Sequence, residues 1–427
     1  VVIKHAMIWT GDPKGTRFSD GTLVLRDGKI TALADGTAKV ALPAGARVID
    51  ARGRWVTPGL IDVHSHLGVY PSPLVAAHAD GNEAAGPNTA EVHAVHALWP
   101  QDPGLPRAAA GGVTTMLVLP GSANVVGGRG VVIKNRPARS AAAMRFPGAP
   151  EALKVACGEN PKRVYGAKGG PVTRMGNVAR LRADFARARD YQTKWTNWYE
   201  KKRTKGEPAP ERDLKLETLV EVMQGRILVQ NHCYRADEML LMLEVAREFG
   251  FRIRAFHHAL EAYKIRDVLA REGVATATWA DWWGFKLEAW DGIPENLALV
   301  DAAGARAVVH SDSPIGIQRL NQHAAHGLAV GQQAGLGVTE DHALSWITRH
   351  AAWVLGVEGR TGTLEVGKMA DVVLWSRHPL SIYAQADEVF VDGHMVFNRA
   401  QGRRLTDFEL GVLPTEIPVP AGTPRTP

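Results

Sequence analysis

Val56-Thr57-Pro58-Gly59-Leu60-Ile61-Asp62-Val63-His64-Ser65-His66 is the stretch from which the fold is read. Its apolar run has the character of a buried strand. In an extended segment residues i and i+2 point to the same side, so the imidazoles of His64 and His66 converge on one point. Alone, such a pair is as compatible with ordinary surface histidines as with a ligand pair. Its company decides the matter. Working outward, buried-looking runs recur at residues 60–64, 113–119, 131–134, 152–156, 226–231, 252–256, 274–278 and 305–310. The fifth run leads into His232, the sixth into His257-His258, and the eighth into His310-Ser311-Asp312. Four strand ends supplying His or Asp exceed what chance offers a chain with 16 histidines, and the pattern predicts a metal site.

Helical patterns separate the strands. Residues 236–249 end at Gly250. Residues 339–355 carry Leu344, Ile347, Ala351, Val354 and Leu355 on one face, with Thr339 as a candidate cap and Glu340 and Asp341 complementing the helix dipole. Alternation of strands and helices is the signature of parallel βαβ units, and eight of them predict an α/β chain built on a (β/α)8 TIM-type barrel, over residues 56–359. Chemistry then collects at the C-terminal strand ends. An insertion at about 158–224 follows the fourth strand, with a polar, Pro/Gly-bearing portion at 201–212 expected near the mouth of the site.

Both chain ends read as hairpins: residues 1–9, 22–25, 30–34 and 47–50 around the Asp27-Gly28 turn, and 371–375, 388–391 and 395–397 around Asp392-Gly393. A small composite β-sandwich domain from residues 1–55 and 360–400 is expected, followed by a C-terminal tail, 401–427.

Composition bounds the rest. A chain of 427 residues with 45% hydrophobic and 22% charged residues is ordinary globular material, not disordered, collagenous or coiled-coil. No apolar run approaches the roughly 20 residues that cross a bilayer, so no membrane association is expected. The two cysteines, Cys157 and Cys233, suggest neither a disulfide framework nor a CxxC metal pattern. The net charge of +6 is matched by the surplus in residues 177–205 alone. There Val178, Leu181, Phe185, Ala188 and Tyr191 fall at helical spacing, which reads as an amphipathic helix with a solvated basic face rather than a nucleic-acid module. The Gly-rich run 121–128 matches no phosphate-binding motif. The chain begins at Val1 without a basic n-region and apolar h-region, which leaves the compartment open: cytoplasmic, or exported if a leader precedes Val1.

Residues 56–66 resemble the first metal strand of the amidohydrolase superfamily, Gly111-Gly112-Val113-Thr114-Thr115 the entry to its second strand, and residues 362–375 the return into its composite β domain. The run Leu153-Lys154-Val155-Ala156-Cys157-Gly158-Glu159-Asn160-Pro161-Lys162-Arg163-Val164-Tyr165-Gly166 is similar to an imidazolonepropionase-like, metal-dependent branch. The resemblance implies His64 and His66 as ligands of the more buried metal, His232 and His258 of the second, and Asp312 as a ligand and the catalytic proton acceptor. His258 is preferred to His257 because His258-Ala259-Leu260-Glu261-Ala262-Tyr263 aligns with the family's pattern, leaving His257 either to support a ligand from behind or to stand as a core histidine. A bridging carboxylate is implied, best supplied by a carbamate on Lys154, with Lys134 or unmodified Glu159 as alternatives. Burial favours the neutral amine that carbamate formation needs.

The implied activity is hydrolysis of an amide bond in a peptide-like, N-acyl amino acid or cyclic amide substrate by a metal-activated hydroxide, with two zinc ions, or manganese or iron, and Asp312 as proton shuttle. His310 and Ser311 are candidates to orient Asp312. The alternative is a mononuclear-metal deaminase of an aminated heterocycle, in which Glu261 would be the shuttle; a non-catalytic barrel is disfavoured because every usual ligand position holds a competent residue. For substrate contacts the sequence offers Trp279, Trp282 and Trp283 as an aromatic wall and Arg163, Tyr165 and Arg174 as a carboxylate-holding set. The expected partner is a small molecule, not nucleic acid; a homo-oligomer is compatible with the sequence.

Overall fold

The computed structural model describes residues 1–36, 40, 44–72, 74–205, 208–282 and 284–401, without the side chains of 201–205. All but the first residue of the expected tail 401–427 lie outside that set. No described helix is long and apolar enough to cross a membrane.

The chain opens with β1 (Val2–Trp9), β2 (Arg17–Arg26), β3 (Lys29–Asp35), β4 (Val48–Asp50) and β5 (Trp55–Pro58), and closes with β14 (Val372–Trp375), β15 (Ala386–Val391) and β16 (His394–Asn398). These eight join in one sheet, ordered β16-β15-β14-β5-β1-β2-β3 with β4 against β1. Asp27-Gly28 and Asp392-Gly393 both adopt positive φ, the geometry of a tight turn whose twist matches the flanking antiparallel strands. Ile3, Ile8, Leu23, Ile30, Val372, Leu374 and Phe390 share one buried cluster, so the termini fold as one body. The fourth run does not form a hairpin: β4 and β5 run parallel to β1.

Between them lie β6 (Leu60–Ser65), β7 (Val113–Val118), β8 (Val126–Lys134), β9 (Glu151–Ala156), β10 (Ile227–Cys233), β11 (Ile253–His258), β12 (Ala275–Thr278) and β13 (Ala307–Val309), neighbours in that order in a nearly closed barrel sheet. Their near-continuous burial is that of a sheet covered on both faces. β6 and β13 are joined by Asp62, whose Oδ1 accepts from the backbone N–H groups of Ser311 and His64, each at 3.1 Å, and whose other oxygen accepts the Ser311 hydroxyl. Gly59 is required where β6 begins, since a Cβ there would fall 2.1 Å from the Thr114 hydroxyl.

One expectation fails: β8 is not parallel. It pairs antiparallel with both β7 and β9. A parallel crossover needs a dozen or more residues, and only residues 119–125 connect β7 to β8. The C-terminal end of β8 therefore lies at the barrel's opposite end from His64 and His66. There Lys134 Nζ is buried against Asp371 at 2.5 Å and Asp392 at 2.9 Å, tying the barrel to the terminal sheet. Replacing Lys134 with Met leaves the buried Asp371 carboxylate without its cation, while Asp392 keeps Arg136 at 3.1 Å, and is expected to cost about 3–5 kcal/mol of stability. Chemical denaturation of the purified variant checks this.

The expected single helix 339–355 is two, Glu340–Trp346 and Arg349–Val354. The Ile347 carbonyl is diverted to the N–H of Ile61 in β6 at 2.9 Å, which breaks the helical ladder. Its apolar set is nonetheless buried, and Ala351, Val354 and Leu355 pack with Ile61, Val63 and Val308. The helix Ala236–Phe249 ends at Gly250, with φ +75°, as read. The insertion is helical, with Glu159–Tyr165, the long Arg174–Lys205 and Leu214–Met223. Leu181, Phe185 and Ala188 form the buried stripe of the long helix, and its basic face is spent on pairs such as Arg182 with Glu248.

The cysteines also depart from expectation. Cys157 and Cys233 form a disulfide, with Cα atoms 5.3 Å apart, bridging the ends of β9 and β10. They are 76 residues apart in sequence, and only the pairing of those strands, carried on by the Cys157 N–H to the His232 carbonyl at 2.9 Å, makes them neighbours. The unfolded, unreduced chain is expected to show no free thiol to a thiol reagent. Reduction is expected to lower stability by about 2–4 kcal/mol, read as a shift in the urea midpoint.

Candidate metal centre

Burial of an imidazole without a partner is costly, and a folded chain normally pairs such groups. At the C-terminal ends of β10, β11 and β13 this chain does not. Both ring nitrogens of His232 and Nδ1 of His258 and His310 are buried with no hydrogen-bond partner. Around them His66 Nε2 lies 3.1 Å from Asp312 Oδ1, His64 Nε2 lies 3.6 Å from the same oxygen, and His258 Nδ1 lies 3.9 Å from Asp312 Oδ2. Lys154 Nζ is 3.0 Å from His64 Nε2. The rings of His232 and His258 are 4.5 Å apart, and those of His64 and His258 5.0 Å. Two triplets, His64-His66-Asp312 and His64-His258-His310, bring their donor atoms within 4.8 Å of one another, a spacing one cation can span.

Local structure explains these placements. His66 Nδ1 donates to the Leu119 carbonyl at 2.8 Å, which turns Nε2 toward Asp312. His258 and Asp312 hold positive φ, +71° and +48°, rare for residues with a side chain and concentrated at functional strand ends. His310 Nε2 accepts the His258 N–H at 3.3 Å, and the Asp312 N–H donates to the His64 carbonyl at 3.0 Å. Ser311 is bound to Asp62 rather than to Asp312, so it fixes the strand end through both its backbone N–H and its hydroxyl.

Electrostatics follow from burial. His64, His232 and His258 are held neutral well below the usual imidazole value, chiefly by desolvation, with the Lys154 ammonium and the neighbouring imidazoles adding to it. His310 is pushed down to about 3, again by burial. Burial lowers Lys154 to about 8, opposed by the Asp312 carboxylate. Burial raises Asp312, but the hydrogen bond and charge of His66, with His310 and Lys154, outweigh it and hold the carboxyl below its ordinary value. Neutral imidazoles, a carboxylate and an amine inclined to lose its proton form a donor set suited to a divalent transition metal.

The other residues singled out from the sequence fall in several places. Lys134 is at the far end of the barrel. Glu159 directs its carboxylate to Lys286 at 3.5 Å. Glu261 Oε2 accepts the Ala236 N–H at 3.0 Å, at the start of the preceding helix Ala236–Phe249. Trp279 stacks on His258 with centroids 4.8 Å apart, donates from Nε1 to the Ser311 carbonyl at 2.9 Å, and carries the half-exposed Trp282 on its outer side. Trp283 lies outside the described residues. Arg163 is exposed, Arg174 reaches Asp237 at 3.4 Å, and the buried Tyr165 hydroxyl accepts from Asn124 at 2.8 Å. These three are not brought into the histidine cluster by any of these contacts.

Sequence reading missed Gln230 and Tyr234, two residues either side of His232, where the period of two would have found them. Tyr234 stacks on His258 at 4.8 Å, and Lys286 lies 4.0 Å from its ring centroid. Asp62 was missed as the link closing the barrel.

The sequence profile of the Amidohydrolase family matches residues 257–397. The crystal structure of an amidohydrolase from Thermotoga maritima MSB8 superposes with a TM-score of 0.83 at 34% identity, covering 93% of this chain and 100% of that one. This chain belongs to the amidohydrolase superfamily. Amidohydrolase tasK from Hapsidospora irregularis is 35% identical over 431 residues, which is 93% of this chain and 43% of tasK, so the chain spans less than half the length of that relative. Imidazolonepropionase from Mesorhizobium japonicum is 24% identical over 392 residues, 83% of this chain and 86% of that enzyme.

Proposed function

We propose that the chain is a metal-dependent hydrolase that cleaves an amide bond in a small peptide-like, N-acyl amino acid or cyclic amide substrate. The observation that carries the reading is the set of buried, unpartnered imidazole nitrogens gathered round Asp312. His64, His66, His232, His258 and Asp312 would hold the metal, with zinc first among the ions such donors suit and manganese or iron next. A divalent cation there lowers the pKa of water towards about 7 and polarises a carbonyl.

The chain's own groups supply the rest. Asp312, anionic and among the more exposed members of the cluster at 24%, would take the proton from the attacking water and deliver it to the leaving nitrogen. Lys154 would carry a carbamate bridging two ions. Its lowered basicity supports this, because only the neutral amine captures carbon dioxide. The ladder from His258 through Trp279 to Trp282 would form one wall of the substrate pocket.

The deaminase alternative needs a carboxylate near a ligand histidine as shuttle, and the engagement of Glu261 with Ala236 and Lys264 argues against it.

Elemental analysis of the purified chain, with a screen of N-acyl amino acids, dipeptides and lactams, tests the proposal. Two ions per chain and amide turnover lost on chelation are expected; ammonia release from aminated heterocycles would overturn it. For Lys154, growth or incubation with 13C-bicarbonate is expected to give a carbamate carbon signal in wild type that is missing in Lys154→Met.

A further inference from the structure

His64 and His66 present the same nitrogen to the site, but their proton placement is set differently. His66 donates from Nδ1 to a backbone carbonyl, which can only accept. His64 Nδ1 instead faces His257 Nδ1 at 3.0 Å, and two imidazole nitrogens can bond only if one carries a proton and the other does not. That choice is made further away. His257 Nε2 lies 2.7 Å from Gln230 Oε1, and Gln230 Nε2 lies 3.3 Å from the carbonyl of Val354, one of the last four carbonyls of the helix Arg349–Val354, which have no partner within their helix.

The logic runs inward from that carbonyl. Val354 O cannot donate, so the Gln230 amide turns its NH2 to it and its oxygen to His257. His257 therefore carries its proton on Nε2. Its Nδ1 is the acceptor toward His64, because His64 Nε2 already accepts from Lys154 Nζ at 3.0 Å and His64 so carries its ring proton on Nδ1. His64 must then be protonated on Nδ1, and its Nε2 lone pair faces Lys154 and Asp312. Were Gln230 turned the other way, each proton would shift and His64 would present an N–H to the cation site.

We infer that His257 and Gln230 are positioning residues, a buried relay that starts at the Val354 carbonyl and fixes His64 in the tautomer able to bind a metal through Nε2. The inference deepens the functional reading and rests on His64 being a ligand. His257 is in neither triplet of converging donors, and Gln230 meets it at Nε2, the ring nitrogen turned away from His64. Groups that orient ligating histidines are commonly worth about 10–100-fold in metal affinity.

The test uses the full chain labelled with 15N-histidine, freed of metal by chelation and then titrated with zinc. Wild type is expected to show His64 protonated on Nδ1 before zinc is added. His257→Leu and Gln230→Leu are expected to mix or reverse that tautomer and to weaken zinc binding by about 10–100-fold. His257→Asn puts an amide oxygen close to where Nδ1 stood, and is expected to restore both the tautomer and most of the affinity. The wild-type tautomer needs no variant to fold. A wild-type chain that takes up no zinc overturns the reading of the site. A wild type that binds zinc with His64 protonated on Nε2, or a His257→Leu chain that binds zinc as tightly as wild type, overturns the relay alone.

Discussion

Asp312→Asn is expected to lower kcat by about a hundredfold to ten-thousandfold, the range a positioned general acid–base commonly supplies, while the chain keeps most of its metal. The substitution is nearly isosteric, and the amide oxygen can still face His66 Nε2, where Asp312 Oδ1 now sits at 3.1 Å. What it removes is the anionic oxygen that takes a proton. A protonated-state difference is therefore separated from a geometric one. The measurement is kcat against the best amide found in the screen, with zinc per chain determined on the same sample. An Asn variant with full metal and near wild-type kcat would show that the proton travels elsewhere. Because His66 holds the Asp312 carboxyl below its usual value, the wild-type rate should fall on acidification as that carboxylate is protonated, and the Asn variant should lack that limb.

His64→Ala is expected to lose both metal and turnover. His64 Nε2 is near Asp312, Lys154 and the ring of His258, and it belongs to both triplets of converging donors, so its removal dismantles the site from the middle. His66→Ala should behave similarly but remove one triplet only. The readout independent of catalysis is thermal. A ligand that binds only the folded chain stabilises it by mass action, about 2.7 kcal/mol at a hundredfold excess over Kd. Zinc is therefore expected to raise the melting temperature of wild type and leave that of His64→Ala unchanged. Equal stabilisation of both would remove His64 from the ligand set.

Much of this was legible in one dimension. Strand burial, the two Asp-Gly turns and Gly250 are local: each depends on period, φ preference or an apolar run, and neighbours in sequence decide them. The convergence of His64 and His66 is likewise a property of extended backbone. The direction of β8 was legible too, had the eleven residues between the runs 113–119 and 131–134, short of the dozen a parallel crossover needs, been weighed against the assumption of eight like units. The broken helix at Ile347 was not, because its cause is the N–H of Ile61, far off in sequence.

Which residue types stand at the strand ends is fixed in one dimension, and with it a barrel with a donor-rich mouth. Tertiary structure alone decided between residues of the same type. It sent Lys134 to Asp371 and Lys154 to His64, set His257 behind His64 and His258 beside Asp312, and joined Cys157 to Cys233. The reason is that a lysine or histidine in an apolar strand looks the same whichever end of the barrel it reaches. What a buried polar group does depends on the partner that satisfies it, and those partners come from strands dozens to hundreds of residues away.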